Sequence, residues 1–164
     1  FINCLKPKLI FAEDALKIEA IIDLSKSICQ GGVYFATHVV NCNVDLKYLL
    51  GLYNSRLLTA LYKGLFSGMH MGGGYLRFRT SFLNKLPIKQ INVNIESEKL
   101  SHDKIVFLVD QMLESKKQLQ ASKTDKDKTY WERKCEQLDR AIDSEVYKLY
   151  GLTDDEIKIV EGKE

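Results

Sequence analysis

The chain is poor in proline, in paired cysteines and in long apolar runs, and each shortage excludes something. Pro7 and Pro87 are its only prolines. It therefore has no Asn/Asp-Pro-Pro-Tyr element, the usual site for methylating an exocyclic amine. Cys4, Cys29, Cys42 and Cys135 form no Cys-x-x-Cys pair, and His38, His70 and His102 complete no metal-ligand spacing. Free thiols in a reducing cytoplasm are expected, with no metal in this chain. No apolar run reaches the ~18–20 residues of a membrane span, so no membrane partner is expected. The chain starts at Phe1 and shows no signal segment, so it is expected to be a piece of a longer polypeptide. Gly74 is followed by Tyr75 rather than Lys-Ser/Thr, which excludes a phosphate-binding P-loop. No nucleophile–His–Asp spacing is visible.

What is present is concentrated in the middle. A helix-like run, Tyr48–Leu58, precedes the glycine-rich Gly68–Gly74 (GMHMGGG), the basic aromatic segment Tyr75–Arg79 (YLRFR) and the run Thr80–Ile88. The overall charge of +2 conceals an asymmetry. Residues 1–95 hold eleven Lys and Arg against five Asp and Glu, whereas residues 96–164 hold thirteen against seventeen. A basic part joined to an acidic part implies that only the first faces a polyanion.

The pattern predicts an α+β fold. Lys8–Glu13, Leu16–Leu24 and Val33–Val40 read as strands of a small, mainly antiparallel sheet, with a turn at Gln30–Gly32. Leu46, Leu49, Leu50, Tyr53, Leu57 and Leu61 then lie on one face of a helix. Asn43 or Asp45 is its N-cap candidate and Gly64 its C-cap candidate. Four glycines in residues 68–74 exclude a helix interior there. Tyr75–Arg79 reads as a short strand, with Leu76 and Phe78 inward and Tyr75, Arg77 and Arg79 on the other face. In the acidic part a helix is expected from about Glu98 to Gln120, a polar connection over Ala121–Thr129 with its tip near Asp125–Lys128, and a second helix ending at Gly151. Trp131, Cys135, Leu138, Ile142, Val146 and Leu149 form a narrow stripe suited to packing along a helix, with Trp131 as a core anchor. Thr153 and Glu156 form a capping box for a short last helix. Two parts are expected: a sheet-containing recognition subdomain, 1–95, and a helical hairpin or spacer, 96–164.

The chemistry-bearing candidates cluster around the glycine loop. The loop reads either as a flexible surface segment or as bare backbone, Gly72, Gly73 and Gly74, that approaches DNA. Arg77 and Arg79 suit guanine O6 and N7, or phosphates; they equally suit a solvated face paired with Asp or Glu. His70 and Lys85 flank them as phosphate contacts, and Tyr75 suits stacking on a base or sugar, or a place in the core. Asp110, Glu114 and Lys116 superficially match a nuclease cluster, but their amphipathic helix makes them a solvated face. No catalytic residue is expected.

In these residues the chain resembles the TaqI-like C-terminal specificity domain of type IIG restriction–modification enzymes, and more distantly the recognition domains of type I specificity subunits. Pro7–Phe11 resembles the family's opening strand, and Tyr48–Ser55 its LLGxLNS helix. Gly73–Arg77 with Leu83–Ile88 is similar to its loop and LxxLPI passage. Ile142-Asp143 through Thr153 resembles its ending, IDxxVYxLYGLTxEE. The resemblance implies sequence-specific binding of double-stranded DNA. It also implies an upstream region of the same polypeptide that methylates adenine with S-adenosylmethionine and, in many members, also cuts DNA with Mg as a type II restriction endonuclease. The alternative reading is a helical protein-interaction module of a type I-like specificity subunit, pairing through the Trp131–Leu149 stripe. Asn54-Ser55 is expected to bond nearby backbone rather than DNA.

Overall fold

A computed structural model describes residues 6–25, 27–37, 44–92 and 94–163. The fold is α+β. Strand β1 (Lys8–Ala12) lies between β3 (Ala20–Asp23) and β4 (Val33–Thr37), antiparallel to both, in the order β3-β1-β4. Strand β2 (Asp14–Ala15) leaves this sheet to pair with β5 (Leu76–Arg77). The helices are α1 (Leu46–Tyr53), α2 (Arg56–Leu65), the single turn α3 (Thr80–Leu83), the long pair α4 (Glu96–Ala121) and α5 (Asp125–Tyr150), and α6 (Asp154–Glu161).

Alternation turns Leu9 and Phe11 of β1 inward, where Phe11 meets the Tyr53 ring edge-on at 4.9 Å. The same core continues through Leu50 and Leu52 of α1 to Ile105, Leu108 and Val109 of α4 and Leu138, Ile142 and Val146 of α5. The helical part thus packs on the sheet-bearing part. Tyr48 donates to the Lys89 carbonyl at 2.8 Å. The Tyr150 hydroxyl donates to the Pro87 carbonyl at 2.7 Å and accepts the Lys89 amide at 3.0 Å. These bonds strap the Leu86–Lys89 passage to the helices.

The strand expected over Leu16–Leu24 is shorter. Only Ala20–Asp23 pairs with β1, while residues 16–19 turn the chain back from β2. Positions 38–40 of the Val33–Val40 strand, the Asn43 cap candidate, His38, Cys4 and Cys42 lie outside the described residues. Asp45 is the N-cap of α1, accepting the Lys47 amide at 2.7 Å.

The single helix expected from residue 46 to Gly64 is two helices. Ser55 breaks it, donating to the Leu52 carbonyl at 2.6 Å and accepting the Leu58 amide at 3.3 Å as N-cap of α2. Asn54 turns to the sheet edge, where its amide brackets Ala20 by accepting from the Ala20 N–H at 2.7 Å and donating to the Ala20 carbonyl at 2.9 Å. The pair therefore bonds backbone, as expected of these side chains, but at Ala20 the backbone is distant in sequence. Gly64 lies inside α2 and Phe66 is the cap.

The hairpin tip is shorter than the charge pattern implied. Only Ser122–Thr124 separate α4 from α5, and Thr124 caps α5 through the Asp127 amide at 3.1 Å. The polar stretch after it is the first turn of α5, where Asp125 and Asp127 favour the positive helix end. Cys135, Leu138, Ile142 and Val146 are buried, but Trp131 is only half-buried, edge-on to an exposed Tyr130. Trp131 is not the core anchor expected of it: residues 125–130 before it in α5 are exposed, and Trp131 is not among the side chains packed on the core. Gly151 closes α5 in the left-handed conformation, and Thr153 with Glu156 forms the capping box of α6.

Candidate nucleic-acid interface

The glycine segment is a tight hairpin rather than a loose loop. His70 bridges Leu76, and the Met71 amide donates to the Tyr75 carbonyl at 2.7 Å. Gly73 and Gly74 make the reversal with φ of 74° and 80°, a region that a side chain at either position would strain. Gly72 has no such φ, and a Cβ there would meet nothing within 4 Å. The tip exposes Gly72, Gly73, Gly74, His70 and Tyr75, and Tyr75 keeps 47% of its surface.

Behind the tip, alternation places the side chains as expected. Leu76 and Phe78 are buried, while Arg77 is half-buried and Arg79 exposed. An aromatic chain supports this strand from α2. Tyr62 packs against Phe78 at 4.8 Å and Phe66 at 5.0 Å, and Phe66 against Phe82 at 4.7 Å. Lys85 is exposed, its ammonium 5.6 Å from the centre of the Phe82 ring. The Tyr62 hydroxyl donates to the Arg77 carbonyl at 2.7 Å and accepts the Arg79 amide at 3.4 Å. Burial raises the Tyr62 hydroxyl above its ordinary pKa.

The two arginines have different surroundings. Arg77 faces Asp14 in the β2–β5 register and grips its carboxylate with two bonds, Nε to Oδ1 at 3.0 Å and Nη2 to Oδ2 at 3.2 Å. The Arg77 hydrogen bond and charge hold the Asp14 carboxyl below the usual range. Arg79 has no ion pair among the described residues, and neither has Lys85. Beside them, Tyr34 of β4 donates to Glu13 at 3.1 Å. Pairing with an acid, the alternative to DNA contact for these arginines, is found at Arg77 but, among the described residues, not at Arg79, and the partner Asp14 lies 63 residues from Arg77.

The fold thus gathers His70, Gly72, Gly73, Gly74, Tyr75, Arg77, Arg79 and Lys85 in and just after one hairpin. The other candidates are dispersed. Asp110 pairs with Lys47 at 2.7 Å, and Glu114 accepts from Gln118 at 2.7 Å along the exposed side of α4. Among the described residues no three His, Cys, Asp or Glu side chains form a group that could hold a metal ion, and no helix is long and apolar enough to cross a membrane. Cys135 is buried and Cys29 half-buried, neither in a disulfide. No family profile matches the chain, and no curated protein is significantly similar to it in sequence.

Proposed function

We propose that this chain is the specificity domain of a type IIG-like restriction–modification enzyme, binding duplex DNA in a sequence-dependent way from the cytoplasm. The observation that carries the reading is the narrow hairpin His70–Leu76, which projects Tyr75 and bare glycine backbone beside Arg77, Arg79 and Lys85. A thin, cationic-flanked edge suits a groove, where phosphate contacts set register and base-edge contacts set sequence. The resemblance of the sequence to TaqI-like specificity domains points the same way.

On this reading the chain performs no chemistry. It positions the duplex for an upstream region of the same polypeptide, which extrudes and methylates the target adenine with S-adenosylmethionine; many enzymes of the family it resembles also cut DNA, with Mg. The alternative, a type I-like helical interaction module, has less support, because Cys135, Leu138, Ile142 and Val146 of the stripe it needs are already buried in this chain. Tyr130 beside Trp131 is 61% exposed, and Leu100, Phe107 and Ile159 of the helical part are also exposed.

The test is selection from a randomised duplex pool at two salt concentrations. An enriched motif supports target recognition. Absence of binding at low salt refutes it in favour of the interaction module.

A further inference from the structure

The Asp14–Arg77 pair has a geometry that sorts the basic residues by role. The carboxylate takes the side edge of the guanidinium, through Nε and Nη2. The remaining edge, Nη1 with the second proton of Nη2, points away from Asp14 in the plane of the fork. That edge carries two parallel donors, the spacing that guanine O6 and N7 accept. The Arg77 side chain is 39% exposed. Charge gives a second argument. Asp14 cancels most of the field of Arg77, and a neutralised arginine attracts a phosphate poorly. It loses nothing as a base reader, where the need is for fixed, correctly spaced donors. Arg79 and Lys85, with no carboxylate paired to them among the described residues, keep the charge that phosphates require.

We infer that Arg77 reads a guanine in the major groove, that Asp14 is the positioning residue that holds its fork, and that Arg79 and Lys85 bind phosphates. The inference rests on the proposed DNA recognition and deepens it. It assigns one base of the target and says which side chain would relax it. Tyr62, bonded to the backbone on both sides of Phe78, keeps the strand that carries Arg77 in register with Asp14.

The experiment is pool selection and salt titration with this chain and its Asp14→Asn, Arg77→Ala, Arg77→Lys, Arg79→Ala and Lys85→Ala variants, each checked by thermal melting. The unaltered chain should enrich a motif with one strongly required guanine, preferred about 5- to 100-fold over other bases. Arg77→Ala and Arg77→Lys should relax that position alone and leave the salt dependence nearly unchanged. Asp14→Asn should relax it too, yet raise affinity for mixed-sequence DNA, because a negative charge leaves the interface. A merely structural role for Asp14 would lower both. Arg79→Ala and Lys85→Ala should keep the motif and each reduce the salt slope by about one phosphate contact.

A motif unchanged by Arg77→Ala, with a reduced salt slope, would make Arg77 a phosphate clamp and overturn the inference while target recognition stands. Loss of affinity and motif together in Asp14→Asn would overturn the positioning role. No binding by the unaltered chain at low salt would remove both the inference and the function beneath it.

Discussion

The Asp143 carboxylate accepts the backbone N–H of Arg56 at 2.9 Å and meets its guanidinium at 3.3 Å, 87 residues away in the chain. The first amides of a helix have no partner within it, and this acid from α5 supplies one to α2. The helix so anchored carries Tyr62, whose hydroxyl holds the backbone of Arg77 and Arg79. The helical part of the chain is thereby connected, through α2, to the edge proposed to meet DNA. Burial raises the Asp143 carboxyl to about 6, with Asp139 adding to the shift and the Arg56 amide opposing it.

That shift sets a pH dependence. Asp143 binds its proton more tightly folded than unfolded, so its contribution is fully present below pH 3.8 and declines as pH rises towards 6. The change across this window is of the order of 3 kcal/mol at most. Asp143→Asn should remove it. Urea titrations at several pH values should show the unaltered chain gaining on the variant as pH falls from 7 to 5. Parallel profiles would contradict the assignment.

A second acid works with the opposite sign. Asp23 of β3 meets the fully buried Lys8 ammonium at 2.6 Å and accepts from Ser25 and Ser27, and these bonds hold its carboxyl well below the usual range. Its contribution is present above pH 3.8 and is lost as pH falls below it. Asp23→Asn takes a carboxylate away from the buried Lys8 ammonium and should destabilise the fold at pH 7. A loss below ~1 kcal/mol would show that the pair is screened by solvent.

Gly51 lets α1 pack closely on α4. A Cβ there would lie 2.8 Å from Ile105 Cγ2 and 3.1 Å from Val109 Cγ2, both on stiff, buried, β-branched side chains. Overpacking costs ~1–3 kcal/mol, against a helix-propensity gain of ~1 kcal/mol for replacing glycine. Gly51→Ala should therefore destabilise, and Gly51→Val more so. Gly64, in α2 with nothing within 4 Å of its Cβ position, is the control. Gly64→Ala should stabilise by ~0.5–1 kcal/mol. Equal effects at the two positions in thermal melts would rule out a tight α1–α4 contact.

Local signals made much of this legible. Alternation in Tyr75–Arg79 separates the buried Leu76 and Phe78 from the outward arginines, and helical spacing finds Ile105, Val109, Leu138 and Ile142. The stops at Gly151 and Thr153 carry their own chemistry. What escaped depends on residues far away in sequence. The apolar period runs unbroken through Asn54-Ser55, so the break in the helix shows only once Ala20 and Asp143 are in place. The role of Arg77 turns on Asp14, which no spacing connects to it. Trp131 follows the stripe of its helix, yet it sits after an exposed first stretch of α5, which helical spacing does not reveal.

The glycines of the hairpin separate folding from binding. Gly73 and Gly74 need their left-handed φ, so alanine at either should destabilise by ~1 kcal/mol or more. Gly72 has neither that φ nor a neighbour within 4 Å of its Cβ position. The free chain thus gives no reason for glycine at 72, and Gly72→Ala should leave the melting temperature unchanged or slightly raised. A DNA duplex supplies the reason if the bare backbone lies against it. A methyl group at position 72 should then weaken binding several-fold, with the selected motif intact. Equal affinity of Gly72→Ala and the unaltered chain, measured by fluorescence anisotropy on the enriched duplex, would place the DNA away from this backbone and leave recognition to the side chains of Tyr75, Arg77 and Arg79.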